Sequence, residues 1–123
     1  MILLESGEMY LETILVLSKK MNAVRSIDIC TEMGFSKPSI SRAMHLLKDG
    51  GYIEIDESGF ITFTDLGREI AEKIYERHTV LTAMFKAIGV DEETASEDAC
   101  RIEHVISDKT FEAVKRHMKE HKM

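Results

Sequence analysis

At 123 residues, 44% of them hydrophobic, the chain has material for one globular domain or two small lobes sharing a core. Its apolar runs reach about four residues, as in Ile14-Leu15-Val16-Leu17, against the roughly 20 a membrane-spanning helix needs, and the start Met1-Ile2-Leu3-Leu4-Glu5 lacks the basic flank of a signal peptide. A net charge of −6 argues against a general nucleic-acid coat protein, and two cysteines, Cys30 and Cys100, are too few for a disulfide framework, so a cytoplasmic location is expected.

Helical periodicity dominates from the first residues. Ser6 is an expected N-cap with Glu8 in the first turn, and Leu11, Ile14, Leu15 and Leu17 give an apolar side to a helix ending near Met21. A short helix follows from Ser26 to Met33, expected to bury Ile27, Cys30 and Met33, and Gly34 stops it. Ser36 then caps a third helix with Pro38 in its first turn, where a missing N–H costs nothing. Its Ile40, Met44 and Leu47 fall at i, i+4 and i+7, on the core side. Lys37, Ser39, Ser41, Arg42 and His45 fall on the other.

Gly50-Gly51 ends that helix. Tyr52-Ile53-Glu54-Ile55 and Phe60-Ile61-Thr62-Phe63 are rich in β-branched and aromatic residues and flank Asp56-Glu57-Ser58-Gly59, which reads as a β-hairpin. Thr64 and Asp65 start a long helix whose Leu66, Ile70, Ile74, Leu81, Met84, Phe85 and Ile88 keep helical spacing up to Gly89. Asp91 caps the next helix, and Ser107-Asp108 caps a last one reaching about Met118. The tail from His117 to Met123 is polar and is expected to fray.

Helix, short turn, helix with a serine-rich basic face, then a hairpin: this order describes a winged helix-turn-helix. The third helix would enter the major groove, with small hydroxyl residues at its start allowing close approach to phosphates. Ser36, Lys37, Ser39, Ser41 and Arg42 are the candidate DNA contacts, Lys37 to a phosphate and Arg42 to a base edge or phosphate. Charge follows the same division. Residues 19–48 carry six basic and two acidic residues, whereas residues 89–108 carry seven acidic and one basic.

The acidic part holds a second pattern. Cys100, Glu103 and His104 are spaced i, i+3, i+4, which on a helix puts a thiolate, a carboxylate and an imidazole on one face. All three bind divalent transition metals, and Met9, Glu12 and His78 are candidates to complete the coordination. Met9 and Glu12 are themselves i, i+3. Cys100 and His104 as an enzymic nucleophile and base lack a Gly-rich loop or oxyanion donors, so no enzyme is expected. A rival reading is a winged-helix regulator sensing an organic ligand or an oxidant through Cys100.

Three stretches carry a family resemblance: Glu8-Met9-Tyr10-Leu11-Glu12, Arg77-His78, and Gly89-Val90-Asp91 through Cys100-Arg101-Ile102-Glu103-His104-Val105-Ile106-Ser107-Asp108. With Lys37-Pro38-Ser39-Ile40-Ser41-Arg42 and Thr64-Asp65-Leu66-Gly67, the chain resembles the diphtheria-toxin-repressor family of iron- and manganese-dependent transcriptional regulators, from about Ser6 to Lys119. The resemblance implies a mainly α fold. An N-terminal winged helix-turn-helix with a small β-hairpin wing, residues 1–65, would precede a helical metal-binding and dimerisation domain, residues 66–123. It implies a homodimeric repressor on double-stranded operator DNA that controls metal-uptake genes. Many relatives continue into a C-terminal β-barrel domain, so this chain is expected to be the short form.

By position, Met9, Cys100, Glu103 and His104 match the main effector site of the family's iron branch, and His78 matches a ligand used in both branches. Glu12 matches a carboxylate of the manganese branch. Thr82 and Ser96 stand where the iron branch has further ligands, so an accessory site is expected to be incomplete. Soft Cys and Met ligands favour Fe²⁺ as effector; Glu12, Glu103 and His78 keep Mn²⁺ as the alternative, and Co²⁺, Ni²⁺ or Zn²⁺ would substitute in vitro.

Overall fold

The computed structural model describes residues 5–121. They form, in order, α1 (Glu5–Lys20), α2 (Ser26–Met33), α3 (Lys37–Asp49), β1 (Ile53–Ile55), β2 (Ile61–Phe63), α4 (Asp65–Ala87), α5 (Glu92–Ile102) and α6 (Asp108–His121). They divide between Glu72 and Lys73, inside α4, into two compact units. The mainly α fold with one small hairpin is the one expected. Among the described residues no helix is long and apolar enough to cross a membrane.

In the first unit, α1 buries Leu11, Ile14, Leu15 and Leu17 and carries Glu5 and Glu8 in its first turn and Lys19 and Lys20 in its last, each complementing the helix dipole. Ser6 lies inside this helix and does not cap it, because Glu5 is already helical. In α2 the buried residues are Ile29 and Cys30, while Ile27, expected inside, is 47% exposed. The helix packs on both α1 and α3, and the stripe that meets them runs through Ile29, Cys30 and half-buried Met33. The Asp28 carboxylate accepts the Arg25 N–H at 2.9 Å and so holds the helix start.

Gly34 ends α2 at φ 74°, donating its N–H to the Cys30 carbonyl at 2.8 Å. This left-handed stop is what glycine supplies without strain, and it lets α3 begin three residues later. Ser36 caps α3 by accepting the Ser39 N–H at 3.3 Å, with Pro38 in the first turn. Ile40, Met44 and Leu47 are buried as their spacing requires.

The hairpin is antiparallel, with Ile53 opposite Phe63 and Ile55 opposite Ile61. The Asp56 carboxylate shapes its turn by accepting the Ser58 and Phe60 N–H groups, each at 2.9 Å. Ile61 also donates to the Val24 carbonyl at 2.8 Å, so the connection between α1 and α2 adds an isolated bridge beside the hairpin. Thr64 caps α4: its hydroxyl accepts the Gly67 N–H at 3.1 Å and donates to the Gly51 carbonyl at 2.7 Å.

Gly67 sits against the turn before the hairpin. A Cβ there would lie 1.9 Å from the Tyr52 carbonyl oxygen and 2.8 Å from its carbon, both backbone atoms. Gly67→Ala therefore forces α4 away from Tyr52 and is expected to cost about 3 kcal/mol, the upper range for overpacking. Thermal unfolding checks this, and a melting midpoint within one degree of wild type would contradict it.

In the second unit, the rest of α4 and α5 and α6 bury Ile74, Leu81, Ala95, Ala99, Phe111 and Met118. Leu66 and Ile88, expected on the apolar face of α4, are 49% and 72% exposed near its ends, whereas Ala71 and Arg77 take buried positions. Asp91 caps α5 by accepting the Thr94 N–H at 3.0 Å, and this hydrogen bond holds its carboxyl below the usual range. The expected fraying from His117 does not occur before His121. α6 continues to His121, Met118 is buried, and the His117 and His121 rings stack at 4.0 Å. Lys122 and Met123 lie outside the described residues.

Candidate metal centre and nucleic-acid interface

The second unit brings His78, Glu103 and His104 together. α4 supplies His78; the end of α5 supplies the other two. The expected single helical face is modified here. α5 stops at Ile102, Glu103 is its C-cap, and His104 lies in the turn that follows. Glu103 keeps helical dihedrals, φ −57° and ψ −26°, and donates its N–H to the Ala99 carbonyl. Its i, i+3 relation to Cys100 is thereby preserved. Beyond it the Val105 and Ile106 N–H groups both turn back to the Ile102 carbonyl, at 3.0 and 2.9 Å, and the helix closes.

The Glu103 side chain is 0% exposed, a costly place for a carboxylate without compensating partners. The His78 Nδ1–H donates to its Oε2 at 2.9 Å. Its Oε1 lies 3.4 Å from His104 Nε2 and accepts no hydrogen bond among the described residues. The His104 side chain is itself 1% exposed. A buried carboxylate with an unsatisfied oxygen, flanked by two imidazoles, fits a divalent cation: carboxylate and imidazole together suit Mn²⁺, Fe²⁺ or Zn²⁺. His78 either holds the carboxylate through Nδ1–H or, deprotonated there, joins it as a ligand.

Cys100, which forms no disulfide, is a thiol of intermediate exposure in the last turn of α5, one turn before Glu103. Met9 and Glu12 lie one turn apart on α1, in the first unit, both half-buried. His78 Nε2 faces Ser96 Oγ at 3.4 Å on the rim of a pocket of about 630 Å³ that Thr82, Glu93 and Glu97 also line. Thr82 and Ser96 offer only hydroxyls to it, as the sequence indicated.

Arg77 belongs to one of the stretches that carry the family resemblance, but its sequence position alone assigns it no role. Arg77 is 6% exposed, and its guanidinium donates to the Glu103 carbonyl at 3.0 Å, to the Ile106 carbonyl at 2.8 Å and to the Asp108 carboxylate. The available signal was an arginine at the spacing of Ile74 and Leu81, on the face that should be apolar. Lys73 also pairs with Asp108, at 3.0 Å, and with Arg77 it holds that carboxyl below its usual range.

In the first unit, Ser36, Lys37, Ser39, Ser41 and Arg42 are all exposed along the start of α3. Ser36 and Ser39 are already committed to the cap, their hydroxyls 2.9 Å apart. Lys37, Ser41 and Arg42 are not so committed. Residues 49–67, which include the hairpin, contain five acidic and no basic residues. Phosphate attraction therefore concentrates on α3 and the residues before it.

Comparison with known proteins adds three kinds of match. Residues 2–61 match the iron dependent repressor N-terminal DNA binding domain, and residues 64–123 match the iron dependent repressor metal binding and dimerisation domain. The chain is 32% identical over 120 residues to the uncharacterized HTH-type transcriptional regulator MJ0568 of Methanocaldococcus jannaschii, covering 96% of each. It is 28% identical over 112 residues to the transcriptional regulator MntR of Escherichia coli, covering 91% of this chain and 72% of that one. Its fold superposes on the manganese regulator SloR with a TM-score of 0.79 at 22% identity, over 92% of this chain. The chain spans only about half, 53%, of the SloR chain.

Proposed function

The chain belongs to the iron-dependent repressor family of metal-dependent, DNA-binding transcriptional regulators, which are not enzymes, and from that premise we propose a specific working arrangement. The protein acts as a homodimer on double-stranded operator DNA in the cytoplasm, where its two cysteines, outside any disulfide, suit a reducing compartment. Residues 1–65 read DNA; residues 66–123 bind metal and dimerise. Met9, Glu12, His78, Cys100, Glu103 and His104 supply the ligands for divalent metal, Fe²⁺ by preference with Mn²⁺ as the alternative. Genes for metal uptake are the targets, turned off when metal is plentiful.

One observation carries the reading: a carboxylate at zero exposure, with an unsatisfied oxygen, between two imidazoles, in a chain that also carries a winged helix-turn-helix. A bound cation supplies the positive charge that this oxygen lacks. Support for Met9 and Glu12 comes from their shared helical turn and from the resemblance. Support for Fe²⁺ over Mn²⁺ comes from the softness of Cys100 and Met9. Regulation follows if the cation-loaded residues favour one arrangement of the two DNA-binding lobes over others, since a ligand shifts an equilibrium only by its difference in affinity. Paired recognition helices would then meet successive grooves about 34 Å apart.

The test is a binding titration on promoter DNA with and without Mn²⁺ or anaerobic Fe²⁺, for wild type and His104→Ala. Wild type is expected to gain at least tenfold in affinity with metal, and His104→Ala to gain none. Equal affinity with and without metal sinks the proposal. A response to peroxide that ignores both metals would instead favour oxidant sensing through Cys100.

A further inference from the structure

Arg77 is a buried guanidinium in the one place where the chain must leave α5 and still present two buried side chains. Helix C-termini leave carbonyls without intrahelical donors, and a buried carbonyl of that kind needs a partner. Here the carbonyls of Glu103 and Ile106 both accept from one nitrogen of Arg77, at 3.0 and 2.8 Å. The other terminal nitrogen binds the Asp108 carboxylate in the first turn of α6, and the guanidinium carbon lies 5.5 Å from the Phe111 ring centroid. One side chain thus ties down the C-cap of α5, the loop and the first turns of α6.

The residues enclosed by this clamp are 103–106, which include Glu103 and His104. The clamp is also adjacent in sequence to His78, so α4 both contributes a site residue and fixes the loop that contributes two more. A core arginine is a poor filler: its Nε is buried and has no hydrogen-bond partner among the described residues. Apolar side chains replace buried ion pairs without loss in many cores, so stability alone is a weak reason for a guanidinium here. A planar fork with donors on both sides is what three acceptors in three different segments require, and an ammonium does not reproduce it.

From this geometry we infer that Arg77 is a positioning residue for metal binding, holding the Glu103–His104 turn in its cation-accepting shape through backbone carbonyls. The inference rests on His78, Glu103 and His104 being ligands. Partners of this kind, one step removed from the ion, typically carry a 10–100-fold effect on affinity.

The experiment is a calorimetric titration of the metal-stripped full chain with Mn²⁺ alone, for wild type, Arg77→Lys, Asp108→Asn and Glu103→Gln. Hydrogen exchange at the Val105 and Ile106 amides is read on the same metal-free samples. Arg77→Lys is expected to fold, to exchange these two amides faster and to bind Mn²⁺ about 10–100-fold more weakly. Asp108→Asn is expected to shift both readouts the same way by less, and it carries the test if Arg77→Lys does not fold. Faster exchange in either variant with wild-type Mn²⁺ affinity overturns the inference and leaves Arg77 a structural staple. Wild-type protein that takes up no Mn²⁺, or Glu103→Gln that binds it as wild type does, overturns the ligand reading and this inference with it.

Discussion

Glu103→Gln is expected to reverse the order of stability between metal-free and metal-loaded protein. The amide keeps the shape of the carboxylate and can still pair with His78, but it removes a charge from a site with zero exposure. In chelator the variant should therefore melt above wild type, by about 1–2 kcal/mol or several degrees, because an uncompensated buried charge no longer opposes folding. With metal at about 100 times its dissociation constant, wild type gains about 2.7 kcal/mol and overtakes the variant, which gains almost nothing. Metal-responsive DNA binding disappears with it. Thermal scans in chelator and in Mn²⁺ read all of this. A variant that melts below wild type in chelator would show that Glu103 is stabilised by the protein alone, with no demand for a cation.

The second large effect divides the basic face of α3 by what each residue touches. Arg42→Ala is expected to cost about 1–3 kcal/mol on operator DNA and to relax discrimination at one base pair, as loss of a base-edge contact does. Lys37→Ala should weaken operator and random DNA alike and reduce the slope of log affinity against log salt by about 0.9, the signature of one lost phosphate contact. The exposure of both side chains and the acidity of the hairpin make α3 the place to look. Ser36→Ala belongs to a different class, since its hydroxyl caps the helix and its loss should cost about 1 kcal/mol of stability. Equal losses on operator and random DNA for Arg42→Ala would reassign it to a phosphate.

Local chemistry wrote much of this structure into the chain. Gly34, Ser36 and Pro38 mark the end of one helix and the start of the next within a few residues, because each acts on its own backbone and needs no distant partner. The hairpin was legible for the same reason: Asp56 and Gly59 build the turn that the flanking β-branched residues require. Where a face meets two neighbours at once, the pattern was ambiguous, and Ile29 rather than Ile27 went inside.

By itself, then, the sequence determined the element order, the winged helix-turn-helix and the identity of the candidate ligands, since side-chain type and helical spacing are local properties. Tertiary structure decided what those ligands experience. Glu103 loses all contact with solvent, α5 ends one residue before it, and Arg77 sets that end from 26 to 31 positions earlier in the chain. Burial and the satisfaction of a carbonyl depend on groups that only folding brings near. No spacing rule along the chain contains that information.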